Sequence, residues 1–282
     1  MHAAVDMPRS HADFARWPTV FAPGTLAGRR VMVSGGGSGM GRATAWLAAR
    51  LGAQVIVAGR TEAKLADVAE AIVAAGHQAD IQVLDIRSRE SVDEAFAAIR
   101  ARAGVIDLLV NSAGGQFPQA SIDYSEKGWQ AVVNTNLNGT WHMMHVAAQH
   151  WREAGKGGAI VNIGSGCNKL AFPKLVDYTA SKGGIEQFTK AAAVDLGPHG
   201  IRVNCVAPGA IATERTLGEA GDYVATWSRL TPLRRIGTPS DVAAVVLFMA
   251  SPAAAFVTGQ TIGVDGGLFT QAVWPYSQGS TS

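Results

Sequence analysis

Two residue types that transfer protons stand four positions apart in the segment Tyr178-Thr179-Ala180-Ser181-Lys182. On a helix this spacing places the tyrosine and the lysine on one face, where a phenol and an ammonium share one site. A tyrosine has an ordinary pKa of about 10, and a neighbouring ammonium lowers that pKa by stabilising the phenolate. The pair indicates proton transfer to or from a substrate oxygen, although the same spacing also arises by chance.

A glycine-rich run, SGGGSGMG at 34–41, gives a second chemical signal. It follows a short apolar run at 30–34 and precedes a helical pattern at 39–51. In that setting glycines permit a tight turn and the close approach of a pyrophosphate, while the helix N-terminus offers free amide groups. The run therefore predicts a dinucleotide site, built from Gly35, Ser38, Gly39, Met40 and Gly41.

Short apolar runs alternate with helical patterns along most of the chain. The runs lie at 30–34, 53–59, 79–85, 106–113, 158–165, 201–209 and 259–267. The helical patterns lie at 39–51, 61–75, 88–103, 124–153, 175–197 and 239–250. Most runs are continuously apolar, as in strands that are covered on both faces. We therefore predict an α/β fold with a doubly wound parallel sheet of about seven strands and helices on both faces.

The same pattern predicts one domain with extensions. We expect an N-terminal arm at 1–27, a dinucleotide-binding domain at 28–270 and a C-terminal tail at 271–282. Segment 210–237 interrupts the alternation, and loops of that length are commonly lids or binding segments. We expect it to be a substrate lid. Thr238, Pro239 and Asp241 then form a helix-start signal.

These motifs together resemble the short-chain dehydrogenase/reductase family, whose members have a Rossmann-type fold. Its glycine fingerprint is Thr-Gly-x-x-x-Gly-hydrophobic-Gly, here with Ser34 at the first position and Met40 at the hydrophobic one. The resemblance extends over about 28–270. It implies further cofactor-binding positions at Asp85, Ile86, Asn111, Ala113, Gly114, Pro208, Gly209, Ile211 and Thr213, together with Tyr178 and Lys182.

The resemblance also implies a catalytic set of Asn136, Ser165, Tyr178 and Lys182. In such a set the serine polarises the substrate oxygen, the tyrosine exchanges a proton with it, and the asparagine anchors a water that relays protons to the lysine. Asn134 and Asn138 compete for the asparagine position, which the pattern Asn-Leu-x-Gly gives to Asn136. The implied reaction is hydride transfer between a nicotinamide and a carbonyl carbon.

The end of the second predicted strand bears on the choice of cofactor. An acidic residue there binds the adenosine ribose, whereas an arginine accommodates a 2′-phosphate. This chain has Gly59 followed by Arg60, which favours NADP(H). NAD(H) stays possible, because Arg60 is alternatively a solvated residue at a helix start.

The expected substrate pocket is apolar and aromatic. Its candidate residues are Gln116, Phe117, Cys167, Phe172 and Trp227, with Leu175, Leu217 and Tyr223 as further contributors. The list favours a hydrophobic secondary alcohol or ketone. The stretches GGQF at 114–117 and KGW at 127–129 resemble the peroxisomal trans-2-enoyl-CoA and 2,4-dienoyl-CoA reductase branch, so an enoyl reductase is the alternative. A non-catalytic dinucleotide sensor is a third possibility.

Composition excludes several other classes of protein. The 24 Lys and Arg against 22 Asp and Glu leave a net charge of +2, too small for a nucleic-acid-binding or membrane-surface protein. Two cysteines build no disulfide framework, and no Cys/His spacing suggests a metal site; His142 and His145 are interpreted as packing or surface residues. With no secretory signal or apolar run long enough to span a bilayer, we expect a cytoplasmic protein.

The two long helical patterns at 124–153 and 175–197 carry apolar residues on more than one face. A monomer rarely exposes so large an apolar surface. In the resembled family the corresponding helices pair across a two-fold axis. We therefore expect a homotetramer or a homodimer.

Overall fold

The computed structural model describes residues 8–218 and 222–271. Within them, seven parallel strands form one sheet in the order β3-β2-β1-β4-β5-β6-β7. The strands are β1 Arg30–Ser34, β2 Gln54–Gly59, β3 Gln78–Val83, β4 Leu108–Asn111, β5 Gly158–Ile163, β6 Ile201–Pro208 and β7 Thr261–Val264. The order reverses between β1 and β4, which creates a crevice at the carboxyl ends of these two strands. The predicted doubly wound sheet is confirmed.

Helices cover both faces of the sheet. They are α1 His11–Arg16, α2 Gly39–Arg50, α3 Glu62–Ala74, α4 Arg89–Ala103, α5 Glu126–Val133, α6 Gly139–Glu153, α7 Val176–Leu196, α8 Glu214–Leu217, α9 Tyr223–Leu230 and α10 Pro239–Ala250. Val31 and Val33 of β1 point into a core shared with α2, α3 and α10, whereas Met32 between them points into a core shared with α4, α6 and α7. Strand side chains alternate between faces, so a strand covered on both sides is apolar throughout.

The helix predicted at 124–153 is interrupted. A π-helical turn at Asn134–Asn138 separates α5 from α6. Such turns often occur at functional sites, because the extra residue per turn redirects side chains. The start signal of α10 is confirmed: Thr238 and Asp241 form a capping box, with Pro239 in the first turn.

Segment 210–237 returns to the place where it leaves the sheet. A parallel bridge joins Ile211 to Gly237, and the Gly237 amide donates to the Ala210 carbonyl at 2.9 Å. Between these points lie the short helices α8 and α9. Residues 219–221 of this expected lid, like residues 1–7 and 272–282 of the arm and tail, lie outside the described residues.

The described part of the N-terminal arm packs onto the domain. Ser10 and Asp13 form a capping box at the start of α1, and Phe14 is buried in the core beside α2. The Arg50 side chain donates to the carbonyls of Phe14 and Trp17, at 3.2 and 2.6 Å. The boundary expected at residue 27 therefore does not separate the described arm from the core.

The helices of the described residues include none with both the length and the apolar content needed to cross a bilayer.

Replacing Phe14 with alanine tests how firmly the arm is attached. The ring is 3% exposed, and removing a buried phenylalanine costs about 3 kcal/mol of unfolding free energy. Val20→Ala is the matched control, since Val20 is 99% exposed. Urea unfolding should show the loss for Phe14→Ala only. Equal stability of both variants and the wild type would mean that the arm contributes nothing to the core.

Candidate active site

A cavity of about 640 Å³ opens at the carboxyl ends of the strands. This volume is within the range of small-molecule sites. The predicted site residues that line it are Gly35, Ser38, Gly39, Met40, Gly41, Ala113, Gly114, Gln116, Ser165, Cys167, Phe172, Tyr178, Lys182, Pro208, Gly209, Ile211, Thr213 and Trp227. Leu175 and Tyr223 also line it. Residues far apart in sequence therefore meet in one cavity, because the carboxyl ends of parallel strands share one edge of the sheet.

Tyr178 and Ser165 meet in this cavity. Ser165 follows β5 and accepts a hydrogen bond from the Cys167 amide at 3.2 Å, which fixes its hydroxyl. The Tyr178 phenol lies near Ser165, whose hydroxyl favours the ionised form of the phenol. Burial raises the pKa of Tyr178 to about 12, although the Ser165 hydroxyl and the positive charge of Arg215 act in the opposite direction. The phenol therefore holds its proton at neutral pH, the state of a proton donor.

Lys182 lies one helical turn further along α7 and is 5% exposed. Its ammonium donates to the Ile163 carbonyl at 2.7 Å and lies 5.6 Å from the centre of the Tyr178 ring. Burial lowers the pKa of Lys182 to about 8. The net shift of the Tyr178 pKa is therefore upward, opposite to the lowering that the sequence predicted, because burial outweighs the groups that act in the other direction.

Asn136 is fully buried in the π-helical turn. Its amide group donates to the Gly115 carbonyl at 2.9 Å and to the Ser181 hydroxyl at 3.1 Å, and its oxygen accepts from the Gly115 amide at 2.9 Å. It therefore holds the loop after β4 against α7 rather than lining the cavity. A Cβ at Gly114 would lie 3.0 Å from the Asn136 side-chain oxygen and 3.6 Å from the Lys182 ammonium, so a side chain at Gly114 would crowd both groups.

The competing asparagines are placed differently. The Asn138 amide donates to the Asn134 side-chain oxygen at 2.8 Å in an exposed pair. They therefore stay outside the buried network that contains Asn136.

The glycine-rich turn fits a dinucleotide pyrophosphate. Gly35 has φ +71°, and a Cβ there would lie 2.7 Å from the Ala113 amide nitrogen. A Cβ at Gly41 would lie 2.2 Å from the Gly35 carbonyl oxygen. Ser38 precedes α2 without a side-chain cap, so the first amides of a twelve-residue helix face the cavity with no capping side chain. Free amides at a helix N-terminus bind phosphate.

Four predicted cofactor residues and two predicted substrate residues do not line the cavity. They are Arg60, Asp85, Ile86, Asn111, Phe117 and Leu217. The Asn111 amide donates to Asn162 at 2.9 Å and so joins β4 to β5. The Phe117 ring is 37% exposed, lies 5.7 Å from the Tyr124 ring and does not line the cavity.

The predicted adenosine end has other partners. The Asp85 carboxylate is bound by the Arg87 guanidinium, which lowers the pKa of that carboxyl group, with a smaller contribution from Arg60. Arg60 is exposed. The Ile86 side chain packs against Gly139, where an added Cβ would lie 2.6 Å from the Ile86 side chain. These residues form the rim of the crevice beyond the cavity wall.

Two cationic residues in the cavity wall escaped the sequence analysis, namely Lys64 and Arg215. Lys64 lies in the first turn of α3, close to the glycine turn. A Cβ added at Gly37 would lie 3.1 Å from the Cβ of Lys64. A signal for Lys64 existed, since helix starts after parallel strands lie at the cofactor edge of such sheets. Arg215 sits on α8, a four-residue helix whose orientation the pattern did not predict.

The histidines have structural partners. His142 is hydrogen-bonded to the Ile86 carbonyl at 2.9 Å, and His145 stacks on Trp141 and contacts Arg89 at 2.8 Å. No group of three metal-binding side chains occurs among the described residues. Burial raises the pKa of the Cys167 thiol, which keeps it a weak nucleophile.

Comparison with known proteins decides the family. A sequence model described as enoyl-(acyl carrier protein) reductase matches residues 35–269. The chain belongs to the short-chain dehydrogenase/reductase family. It is therefore an oxidoreductase of the class that interconverts CH–OH and C=O groups with NAD(P).

Individual relatives differ in what they act on. The chain is 35% identical to a 3-oxoacyl-[acyl-carrier-protein] reductase of Chlamydia pneumoniae over 86% of this chain and 98% of that protein. A gluconate 5-dehydrogenase of Burkholderia cenocepacia, solved with NADP and tartrate, is 34% identical with a TM-score of 0.82, covering 88% and 97%. A citronellol catabolism dehydrogenase of Pseudomonas aeruginosa is 39% identical with a TM-score of 0.80, covering 89% and 99%.

Replacing Lys182 with methionine tests the buried ammonium. The folded-state pKa of about 8 lies below the ordinary 10.5, so between these values the unfolded chain binds more protons and the wild type gains stability as pH rises. Relative to Lys182→Met, the wild type should gain up to about 3 kcal/mol of unfolding free energy between pH 8 and 10.5. The thiols and tyrosines that also titrate between pH 8 and 10.5 are present in both proteins, so the comparison isolates Lys182.

Lys127→Met is the control, because Lys127 is exposed. Its urea unfolding should follow the wild type at every pH. A constant difference between Lys182→Met and the wild type across this range would show that the Lys182 ammonium is not desolvated.

Proposed function

We propose that this protein is an NADP(H)-dependent ketone reductase and secondary-alcohol dehydrogenase that uses Tyr178 as its acid and base. The observation that carries the proposal is that Ser165 and Tyr178 line one cavity, with the buried Lys182 one helical turn from Tyr178. The glycine turn with its uncapped helix start opens into the same cavity.

Each residue has a role in this proposal. When bound, the dinucleotide donates a hydride to the carbonyl carbon or accepts one from the alcohol carbon. Ser165 holds the substrate oxygen by a hydrogen bond. Tyr178 donates its proton to that oxygen as negative charge develops, so that a ketone, NADPH and one proton give an alcohol and NADP⁺.

The remaining residues prepare the phenol for this step. The Lys182 ammonium stabilises the phenolate that is left after proton donation. Asn136 fixes Gly115 and Ser181, and thereby the loop and the helix between which the substrate oxygen lies. We propose that a water anchored near Asn136 returns a proton to Lys182.

The preference for NADP(H) rests on charge at the end of β2. Gly59 leaves no carboxylate to repel a 2′-phosphate, Arg60 follows it, and Lys64 lines the cavity at this end. Cationic side chains form charge-assisted hydrogen bonds to phosphate. The NADP complex of the Burkholderia relative supports the same choice.

Three substitutions test the cofactor preference. Lys64→Ala and Arg60→Ala should each weaken NADPH binding about 10-fold, because a charged hydrogen bond is lost at a screened site. NADH binding should stay within about 2-fold. Gly59→Asp should also weaken NADPH binding, and it should strengthen NADH binding.

Binding can be followed by dinucleotide fluorescence, with Lys127→Ala as the exposed control. If the substitutions weaken NADPH and NADH binding equally, Lys64 and Arg60 support the structure at the start of α3 and do not bind the 2′-phosphate. A wild type that binds NADH more tightly than NADPH would refute the preference.

Tyr178→Phe tests the proton donor. The change keeps the ring and removes the hydroxyl, so ketone reduction should fall by about 10²- to 10⁴-fold while the dissociation constant of NADPH changes little. Steady-state reduction of a neutral aryl ketone gives the rate, and fluorescence titration gives the binding. Retention of more than about a tenth of the activity would remove Tyr178 from this role.

A second candidate function is reduction of an enoyl thioester. The observation in its favour is the description of the matching family model as an enoyl reductase. Trans-2-enoyl-CoA esters should therefore stand beside ketones in the first assays. Carbonyl reduction is favoured because Ser165 and Tyr178 are both present and line the same cavity.

Assembly of two or four chains is part of the proposal. Exposed apolar side chains on the long helices include Trp141 on α6 and Val194 on α7, which are 44% and 76% exposed. Covering them against a second chain would remove this apolar surface from water. A cytoplasmic location stays a prediction.

A further inference from the structure

Cationic side chains occupy separate parts of the cavity wall. Among the described residues that line it, the cations are Lys64, Lys182 and Arg215. Lys64 lies beside the glycine turn and Lys182 is buried beneath Tyr178. Arg215 lies on α8, and neither the reaction nor the cofactor proposed above uses it.

Contacts of Arg215 place its guanidinium at the substrate end. It donates to the Gln116 carbonyl, and one of its terminal nitrogens lies 4.0 Å from where a Cβ of Gly115 would be. Its positive charge acts on the Tyr178 phenol. The guanidinium is thus close to both the loop after β4 and the proton donor.

The Arg215 guanidinium has more N–H donors than its bond to Gln116 uses. An arginine carries five N–H donors, and the bond to Gln116 uses only part of them. The neighbouring carboxylate of Glu214 is paired with Arg42 of α2, and no carboxylate among the described residues lies within 4.0 Å of Arg215. A ligand that brings a carboxylate would give this cation a partner of matching geometry.

The cavity wall also contains a group of aromatic side chains. The Phe172 ring lies 5.6 Å from Phe269 and 6.2 Å from Trp227, and the Tyr223 ring lies 6.1 Å from Trp227. The Phe269 ring occupies the space beside Gly166, next to Ser165. An apolar group bound here would lie within reach of the catalytic serine.

We propose that the substrate is an oxo acid, or the corresponding hydroxy acid, with an apolar body: Arg215 binds its carboxylate and the aromatic wall of Phe172, Trp227 and Phe269 binds its body. The inference rests on the ketone-reductase function proposed above and narrows its substrate class. Arg215 is then a specificity-determining residue. A neutral ketone of the same shape loses the ionic contact but keeps the aromatic one.

Matched pairs of acids and esters test this proposal. Phenylglyoxylate, 4-oxo-4-phenylbutanoate and 5-oxo-5-phenylpentanoate are each assayed beside their methyl esters with NADPH. The wild type should reduce at least one acid with a kcat/KM about 10-fold or more above its ester. Rising salt should shrink that preference, since the contact is partly exposed.

Arg215→Gln should lower kcat/KM for the preferred acid by about 10- to 100-fold and leave the ester within about 3-fold. Arg215→Lys should recover part of the loss, because it keeps the charge without the planar fork. Arg229→Gln on α9 is the control, since Arg229 is exposed and does not line the cavity. It should behave as the wild type.

The possible failures are distinguishable. If acids and esters are reduced equally and Arg215→Gln affects them equally, the oxo-acid proposal is overturned and the ketone reductase stands. If Arg215→Gln instead weakens NADPH binding with no change in acid preference, Arg215 is a cofactor ligand. If NADPH binds but no acid, ester or neutral ketone is reduced, both proposals fail together.

Discussion

A buried ammonium imposes the strictest requirement on this structure. Lys182 carries its charge at a position that is 5% exposed, where an unpaired cation would be costly, and the Ile163 carbonyl at the end of β5 partly offsets that cost. Helix α7 must therefore pass close to the end of this strand. That position also brings Tyr178 to Ser165 and Ser181 to Asn136, so the catalytic groups follow from the placement of one helix.

Local signals were sufficient to predict the sheet. Strand β1 was predicted at 30–34 and occupies Arg30–Ser34, because four apolar or small residues between a basic pair and a glycine run admit one interpretation. Helix α10 was predicted at 239–250 with the bounds that it has, since Thr238 and Asp241 mark its start chemically. Turn and cap chemistry is carried by single residues and is therefore visible in one sequence.

Side-chain direction was harder to predict than backbone. The π-helical turn at Asn134–Asn138 has no compositional signal, yet it sets where Asn136 points. Phe117 was assigned to the substrate wall because it is aromatic and close to Gly114 in sequence, but it packs beside the Tyr124 ring and does not line the cavity. Lys64 and Arg215 were missed because their roles depend on which way a helix faces after it has packed. Hydrophobic patterns describe the buried face and say little about charged residues at a cavity rim.

Segment 210–237 begins and ends at one point of the sheet, where Ile211 pairs with Gly237. The two ends of this segment are joined by main-chain hydrogen bonds, so its sequence can change while the register of the seven strands is kept. The residues proposed to bind the substrate, Arg215 and Trp227, lie inside the segment, whereas Ser165, Tyr178 and Lys182 lie outside it. The fold thus separates the residues proposed for the reaction from the segment proposed to bind the substrate. Grafting the corresponding segment of a relative between Ala210 and Gly237 is a direct route to exchanging substrate range within one scaffold.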